Sequence, residues 1–302
     1  LPELPDLTVY CEALRERLQG ATLERARVLG VAFLRSVDPP LSVLEGRVVV
    51  NVHRLGKRVV IEFEHELYLV IHLMIAGRFR WKPRGAKAPG KICLALFDFS
   101  SGTLQVTEAN TKKRATLHVV QGAQALRAHD PGGLELLGAS VEEFRRALLK
   151  ENHTLKRVLT DPRTFSGIGN AYSDEILHSA RLSPVQRTQG LKDEEITRLF
   201  EATRATLLEW TDRLRREAGG RFPEKVTAFR PEMAVHGRYR KPCPVCGAPV
   251  QRIVHAENET NYCARCQTAG RMLADRALSR LLKADWPRTL EEWEERNWTG
   301  RH

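Results

Sequence analysis

The sequence predicts an α+β fold: an N-terminal antiparallel β-sandwich, a helical domain, and a C-terminal module built on four cysteines. Three observations predict it. Between Ala21 and Val120 short β-branched runs alternate with turn signals, and from Ser140 to Gly220 the apolar period becomes helical. Beyond that, Cys243, Cys246, Cys263 and Cys266 form a C-x2-C, x16, C-x2-C pattern. The corresponding domains are residues 1–130, 131–220, a connecting loop over 221–242, the cysteine module over 243–267, and a helical extension over 268–302.

Taken in order, Pro2-Glu3-Leu4-Pro5 is a stiff entry, and Asp6 is expected to cap a first helix that runs to Leu18 and ends at Gly20. The runs at 46–50, 58–63, 67–71 and 92–97 read as strands, separated by turns at Leu55-Gly56, Glu64-His65-Glu66 and Ser100-Ser101-Gly102. Trp81 to Gly90, with Pro and Gly among lysines, reads as an exposed basic loop. A linker is expected around residues 129–133. Ser140-Val141-Glu142-Glu143 is a capping-box signature, and further helices are expected over 154–160, from about Asn170, and through Ile196, Leu199, Phe200, Leu207, Trp210 and Leu214.

Lys and Arg total 48 against 37 Asp and Glu, a formal charge of +11, which favours a polyanionic partner such as nucleic acid. No apolar run approaches the roughly 18 residues that span a bilayer, and no leader-like start is present. A cytoplasmic protein, associated with the nucleoid through DNA and not with a membrane, is the expectation.

Each C-x2-C pair can offer two thiolates to one ion, and two such knuckles complete the tetrahedral shell of a structural zinc. The alternative, two disulfides, requires an oxidising compartment. One zinc ion held by Cys243, Cys246, Cys263 and Cys266 is therefore expected, with every coordination position filled by sulfur, so that the metal scaffolds rather than catalyses. Cys11 and Cys93 stand among apolar neighbours and read as inert buried thiols.

Pro2 offers different chemistry. A proline nitrogen at a free N-terminus is a secondary amine that can attack a sugar aldehyde carbon to form an iminium, and Glu3 stands beside it as proton donor or acceptor. Leu1 precedes it, and an acylated nitrogen is no nucleophile. Leu1 is expected to correspond to a TTG start codon, decoded as methionine and removed ahead of the small Pro2.

The Pro-Glu start, the β-rich first half, the helical middle and the four-cysteine finger together resemble the formamidopyrimidine-DNA glycosylase and endonuclease VIII family. The similarity runs from Pro2 to Gln267. It is carried by Pro2-Glu3-Leu4-Pro5, His53-Arg54-Leu55-Gly56-Lys57-Arg58, His72-Leu73-Met74-Ile75-Ala76-Gly77, the helix-two-turn-helix-like stretch from Ser166 to Glu175, and the finger ending at Gln267. The resemblance implies a bifunctional DNA glycosylase and abasic-site lyase that excises oxidised bases in base excision repair. Pro2 and Glu3 would be catalytic, and β-elimination would cut the strand, which δ-elimination could follow. Met74 would fill the space left by the flipped nucleotide. Lys57 would hold a phosphate at the lesion and aid proton transfer, Lys156 and Asn170 would grip phosphate, and Glu175 would point toward the catalytic amine. The implied partner is double-stranded DNA with a damaged base or abasic site, bound by a monomer. Two alternatives stay open: a catalytically silent, zinc-stabilised protein that binds damaged DNA, and an abasic-site lyase that removes no base.

Two stretches depart from the family pattern. Asn110-Thr111-Lys112-Lys113-Arg114-Ala115 stands where the family carries an Arg and a wedging Phe, so opposite-base preference does not transfer. Asn258 stands where an arginine is expected to contact phosphates and assist δ-elimination, with Arg252 or Arg271 as possible substitutes. A tail with Trp286, Trp293 and Trp298 follows the finger.

Overall fold

The computed structural model describes residues 2–224, 226–227, 229–255, 258–274, 280, 283 and 286–298. Leu1, Ala256, Glu257 and most of residues 275–285 of the expected helical extension lie outside the described residues, as do the side chains of His255, Asn258, Asn297 and Trp298. The chain divides into two compact units, residues 1–132 with 208–228, and residues 133–207 with 229–302.

In the first unit, helix α1 (Leu4–Leu18) starts earlier than expected, because Glu3 rather than Asp6 is the N-cap. Asp6 sits at the third helical position, where its Oδ2 accepts the Glu3 backbone N–H at 3.0 Å while the Glu3 side chain accepts in return. That reciprocal box satisfies two helix-end donors at once, which a lone Asp6 cap would not. Leu7, Tyr10, Cys11, Leu14 and Leu18 recur at helical spacing and bury one face in the core. Each such side chain contributes about 1.5–3 kcal/mol.

Two antiparallel four-stranded sheets face this core. The first has the order β1 (Leu23–Val28), β6 (Cys93–Phe99), β7 (Gly102–Glu108), β5 (Gly77–Lys82). The second has the order β2 (Val49–Leu55), β3 (Arg58–Phe63), β4 (Leu67–His72), β8 (Thr116–Gln121). Val59, Ile61 and Phe63 point into the sandwich, while Val60, Tyr68, Val70 and Val120 form a second small cluster with Leu126 of α2 (Ala123–Arg127). Cover on both faces explains why β3 and β4 read as nearly continuous apolar runs. Trp81, expected in a loop, belongs to β5 and pairs with Leu104; the basic loop begins only at Pro83. Residues 208–224 close over α1: Arg215 pairs with Glu12 at 2.6 Å, and Phe222 lies 5.8 Å from the Tyr10 ring.

The second unit opens with α3 (Val141–Leu149), whose Ser140–Glu143 capping box forms as its sequence predicts. Phe144 stacks on Phe165 at 4.8 Å. Helices α4 (Leu155–Thr160), α5 (Asn170–Ser179) and α6 (Asp193–Ala218) follow, and the division between the units falls within α6. The finger is a hairpin of β9 (Gln251–His255) and β10 (Asn258–Tyr262) followed by α7 (Ala264–Thr268). Its core of Val250, Tyr262 and Leu273 also takes in Leu290 and Trp293 of α8 (Leu290–Trp298), so this part of the tail packs on the finger.

Candidate active site and metal centre

Pro2 and Glu3 stand at the head of α1, and both are buried, Glu3 to 2% exposure. The capping box holds the Glu3 backbone fixed, so its carboxylate is placed by the helix end rather than by a mobile tail.

Lys57 lies in the same unit, in a two-residue hairpin between Leu55 and Arg58. Gly56 supplies the left-handed φ of +58° that this turn needs, and Arg54 Nη1 donates to the Gly56 carbonyl at 2.7 Å. His72 ends β4 nearby. Burial pulls its imidazole down to about 4, with the charges of Arg58 and Lys57 acting in the same direction, so it is neutral at pH 7.

The turn from β4 to β5 presents an apolar tip. Gly77 N–H donates to the Leu73 carbonyl at 2.9 Å, and a Cβ at Gly77 would meet that oxygen at 2.2 Å, so the approach requires glycine. Met74 adopts a left-handed φ of +52°, a conformation that costs a non-glycine residue about 1 kcal/mol. It is half-buried, whereas its neighbour Ile75 is 52% exposed. Sequence reasoning does not single out Ile75; the signal available is its place at the middle of a tight turn. After β7, the buried Glu108 carboxylate accepts the backbone N–H groups of Arg114 and Ala115 at 3.0 and 3.1 Å, leaving residues 109–112 exposed at a fixed tip.

In the second unit α5 is the hub. Gly167 has φ +83° and Gly169 caps the helix, which begins at Asn170. Asn170 Nδ2 donates to the Glu259 carbonyl at 2.8 Å. Asp174 has no solvent exposure, and its carboxylate accepts from Lys156 Nζ at 2.5 Å, His236 Nδ1 at 2.8 Å and Asn261 N at 3.1 Å. Lys156 also donates to the Asn170 carbonyl at 2.7 Å, so its ammonium is fixed beside the start of α5. Glu175 is turned to the segment before the finger: Oε2 accepts Ala234 N–H at 2.7 Å, and Oε1 accepts Val235 and His236 N–H at 2.9 Å each. Burial raises its pKa and the three backbone donors act against that rise.

Of the two substitutes weighed for the missing arginine, Arg252 lies in the hairpin and Arg271 beyond it. In the hairpin register Asn258 pairs with His255, whereas Arg252 pairs with Asn261. Its guanidinium lies 4.3 Å above the Tyr239 ring and 3.1 Å from Glu259.

The Cys243, Cys246, Cys263 and Cys266 sulfurs all lie within 4.8 Å of one another, with Cys243–Cys266 at 3.9 Å and Cys246–Cys263 at 3.4 Å. Ligands about 2.3 Å from a tetrahedral zinc would stand about 3.8 Å apart, so the cluster fits such an ion. Cys11 and Cys93 are buried outside this cluster, and burial pushes the Cys11 thiol up to about 12.

Residues 1–134 match the family model of the formamidopyrimidine-DNA glycosylase N-terminal domain, 135–214 that of its H2TH domain, and 240–269 that of the zinc finger found in FPG and IleRS. The formamidopyrimidine-DNA glycosylase of Heliobacterium modesticaldum is 32% identical over 281 residues, covering 88% of this chain and all of that protein. The chain belongs to the formamidopyrimidine-DNA glycosylase family. Among solved structures, the MutM (Fpg) protein from Thermus thermophilus matches with a TM-score of 0.73 and 30% identity, over 88% of this chain and 98% of that one. Lactococcus lactis Fpg in complex with an N7-benzyl-Fapy-dG containing DNA matches with a TM-score of 0.78 and 25% identity, over 88% of this chain and all of that one. The predicted fold class agrees with these relationships: antiparallel sheets, an H2TH domain, and a four-cysteine cluster of zinc-finger type.

Proposed function

We propose that this protein is a bifunctional DNA glycosylase and abasic-site lyase that excises oxidised bases from duplex DNA in base excision repair. The observation that carries the reading is the Pro2–Glu3 pair at the head of α1, with Glu3 buried and its backbone fixed by Asp6. In a chain starting at Pro2, the neutral nitrogen attacks C1′ of the flipped nucleotide, and the C1′–base bond breaks as Glu3 assists departure of the base. Loss of the proline proton and opening of the sugar leave an iminium. The iminium acidifies the C2′ proton, and its removal expels the 3′ phosphate in β-elimination. Lys57 holds a phosphate at the lesion and aids proton transfer. Lys156 and Asn170 offer cationic and amide donors to backbone phosphate. The zinc ion of the finger is structural: it fixes the hairpin and supplies no step.

For the void left by base flipping, we assign Ile75 together with Met74, since Ile75 is the more exposed apolar side chain at the tip. Ile75→Ala removes about 1–2 kcal/mol of apolar contact and should slow excision of a damaged base about 10-fold. Cleavage of a preformed abasic site should change less, because no base must be unstacked. Equal effects on both substrates in single-turnover assays would count against the assignment.

The reading is tested with end-labelled duplexes holding one oxidised purine, one oxidised pyrimidine or one abasic site, following released base by chromatography and strand cleavage on denaturing gels. Base release coupled to cleavage by β-elimination is expected, and the gel separates a β-elimination product from a δ-elimination product. Cleavage of the abasic duplex alone would reduce the protein to a lyase, and tight binding without either reaction would leave only a DNA-binding role.

A further inference from the structure

Asn170, Asp174 and His178 recur every four residues along α5 and so form one stripe on its surface. Each touches the finger. Asn170 Nδ2 donates to the Glu259 carbonyl, the Asp174 carboxylate accepts Asn261 N–H, and His178 Nε2 lies 3.2 Å from Cys243 Sγ. His178 is 6% exposed and Cys243 2%, so water does not compete for this third contact.

We propose that His178 is a positioning residue of the metal centre, donating Nε2–H to the Cys243 sulfur and thereby tying the H2TH helix to the knuckle. The proposal rests on the reading of the cysteine cluster as a zinc site. A metal-bound thiolate carries no proton, so the imidazole must be the donor, and that requirement selects the tautomer protonated at Nε2. An N–H donated to a thiolate draws charge from the sulfur lone pair without using a coordination position. The sulfur becomes less nucleophilic toward electrophiles, and its rotamer is fixed for the tetrahedral shell. His178 is also the one member of the stripe whose partner is a metal ligand, which gives it a role beyond joining helix to hairpin.

The test uses the full chain loaded with one zinc ion. His178→Phe keeps a planar ring and removes the donor, whereas His178→Gln keeps an N–H. Zinc loss to excess chelator is expected to be about 10-fold faster or more in the Phe variant, with the Gln variant closer to wild type. Cys243 should then become the first of the four thiols to be alkylated, read by peptide mass. With cobalt in place of zinc, the sulfur-to-metal charge-transfer band should move to lower energy in the Phe variant, a change that a purely packing role would not produce. A folded His178→Phe chain with the wild-type release rate and an unmoved band would overturn the proposal. One measurement needs no variant: in the wild-type chain loaded with cadmium-113, a scalar coupling between the His178 Nε2 proton and the metal should be visible through the Cys243 sulfur. Its absence in metal-loaded protein overturns the hydrogen bond, whereas a wild-type chain that takes up no metal overturns the zinc reading beneath it.

Discussion

Borohydride should trap a chain that begins at Pro2 covalently on duplex DNA holding one abasic site, and should not trap a chain that keeps an acylating residue before Pro2. The difference is one of bonding rather than degree. An amide nitrogen has its lone pair delocalised into the carbonyl and cannot form the iminium, so the adduct should fall to background. Peptide mass of the trapped species should place the adduct on Pro2, and an adduct on a lysine of the blocked chain would sink the assignment. Glu3→Gln separates the two half-reactions. Base excision should drop about 10²–10⁴-fold, the usual worth of a positioned general acid or base, while the Pro2 adduct with a preformed abasic site persists because no base has to leave. Of the two capping-box bonds, the Glu3 backbone N–H to Asp6 is untouched, and the Gln amide oxygen can still accept the Asp6 N–H, so a stability loss should not obscure the result.

What sequence can show about this protein follows from how far apart the interacting groups lie. The four cysteines announce themselves because two short C-x2-C spacings carry the ligand geometry locally, and the Ser140–Glu143 box does so for the same reason. The helix starting at Asn170 and the hairpin around Gly56 are equally readable from glycine and capping signals. Less readable is β1, where Leu23-Glu24-Arg25-Ala26-Arg27-Val28 shows no β-branched run, with Glu24 and Arg25 exposed and Arg27 paired with Asp98. Trp81 reads as loop because prolines and glycines follow it at once, although its own backbone completes the ladder with Leu104. The start of α1 is ambiguous for a finer reason: both Glu3 and Asp6 can cap, and only the reciprocal bond between them favours Glu3. Contacts across long separations leave no trace at all. Glu175 meets residues 234–236, and His178 meets Cys243, through segments some sixty residues away in the chain, and no periodicity links such positions.

Those long-range contacts make Glu175 the residue whose substitution should be most informative in the second unit. Glu175→Ala would leave the buried N–H groups of Val235 and His236, and the partly buried one of Ala234, without their acceptor. A buried donor stripped of its partner costs about 1–3 kcal/mol, so the segment should lose at least ~3 kcal/mol of local stability. Hydrogen exchange at residues 234–236 should accordingly quicken about 100-fold or more. Glu175→Gln should be milder. Its amide oxygen can still serve the two donors at Oε1, but the amide NH₂ would face the Ala234 N–H, for a cost of about 1–2 kcal/mol. Because His236 also donates to the buried Asp174, which fixes the Lys156 ammonium, loosening the segment should weaken binding to abasic duplex in step with the loss of protection. A role for Glu175 in moving protons at the catalytic amine predicts a different pattern. Glu175→Gln would then show the same modest loss of protection and affinity, but adduct formation at Pro2 on protein saturated with DNA would slow about 100-fold, as removal of a general base does. The two patterns do not overlap, since a purely structural role leaves the adduct rate on saturating DNA near wild type in Glu175→Gln and a proton-transfer role does not.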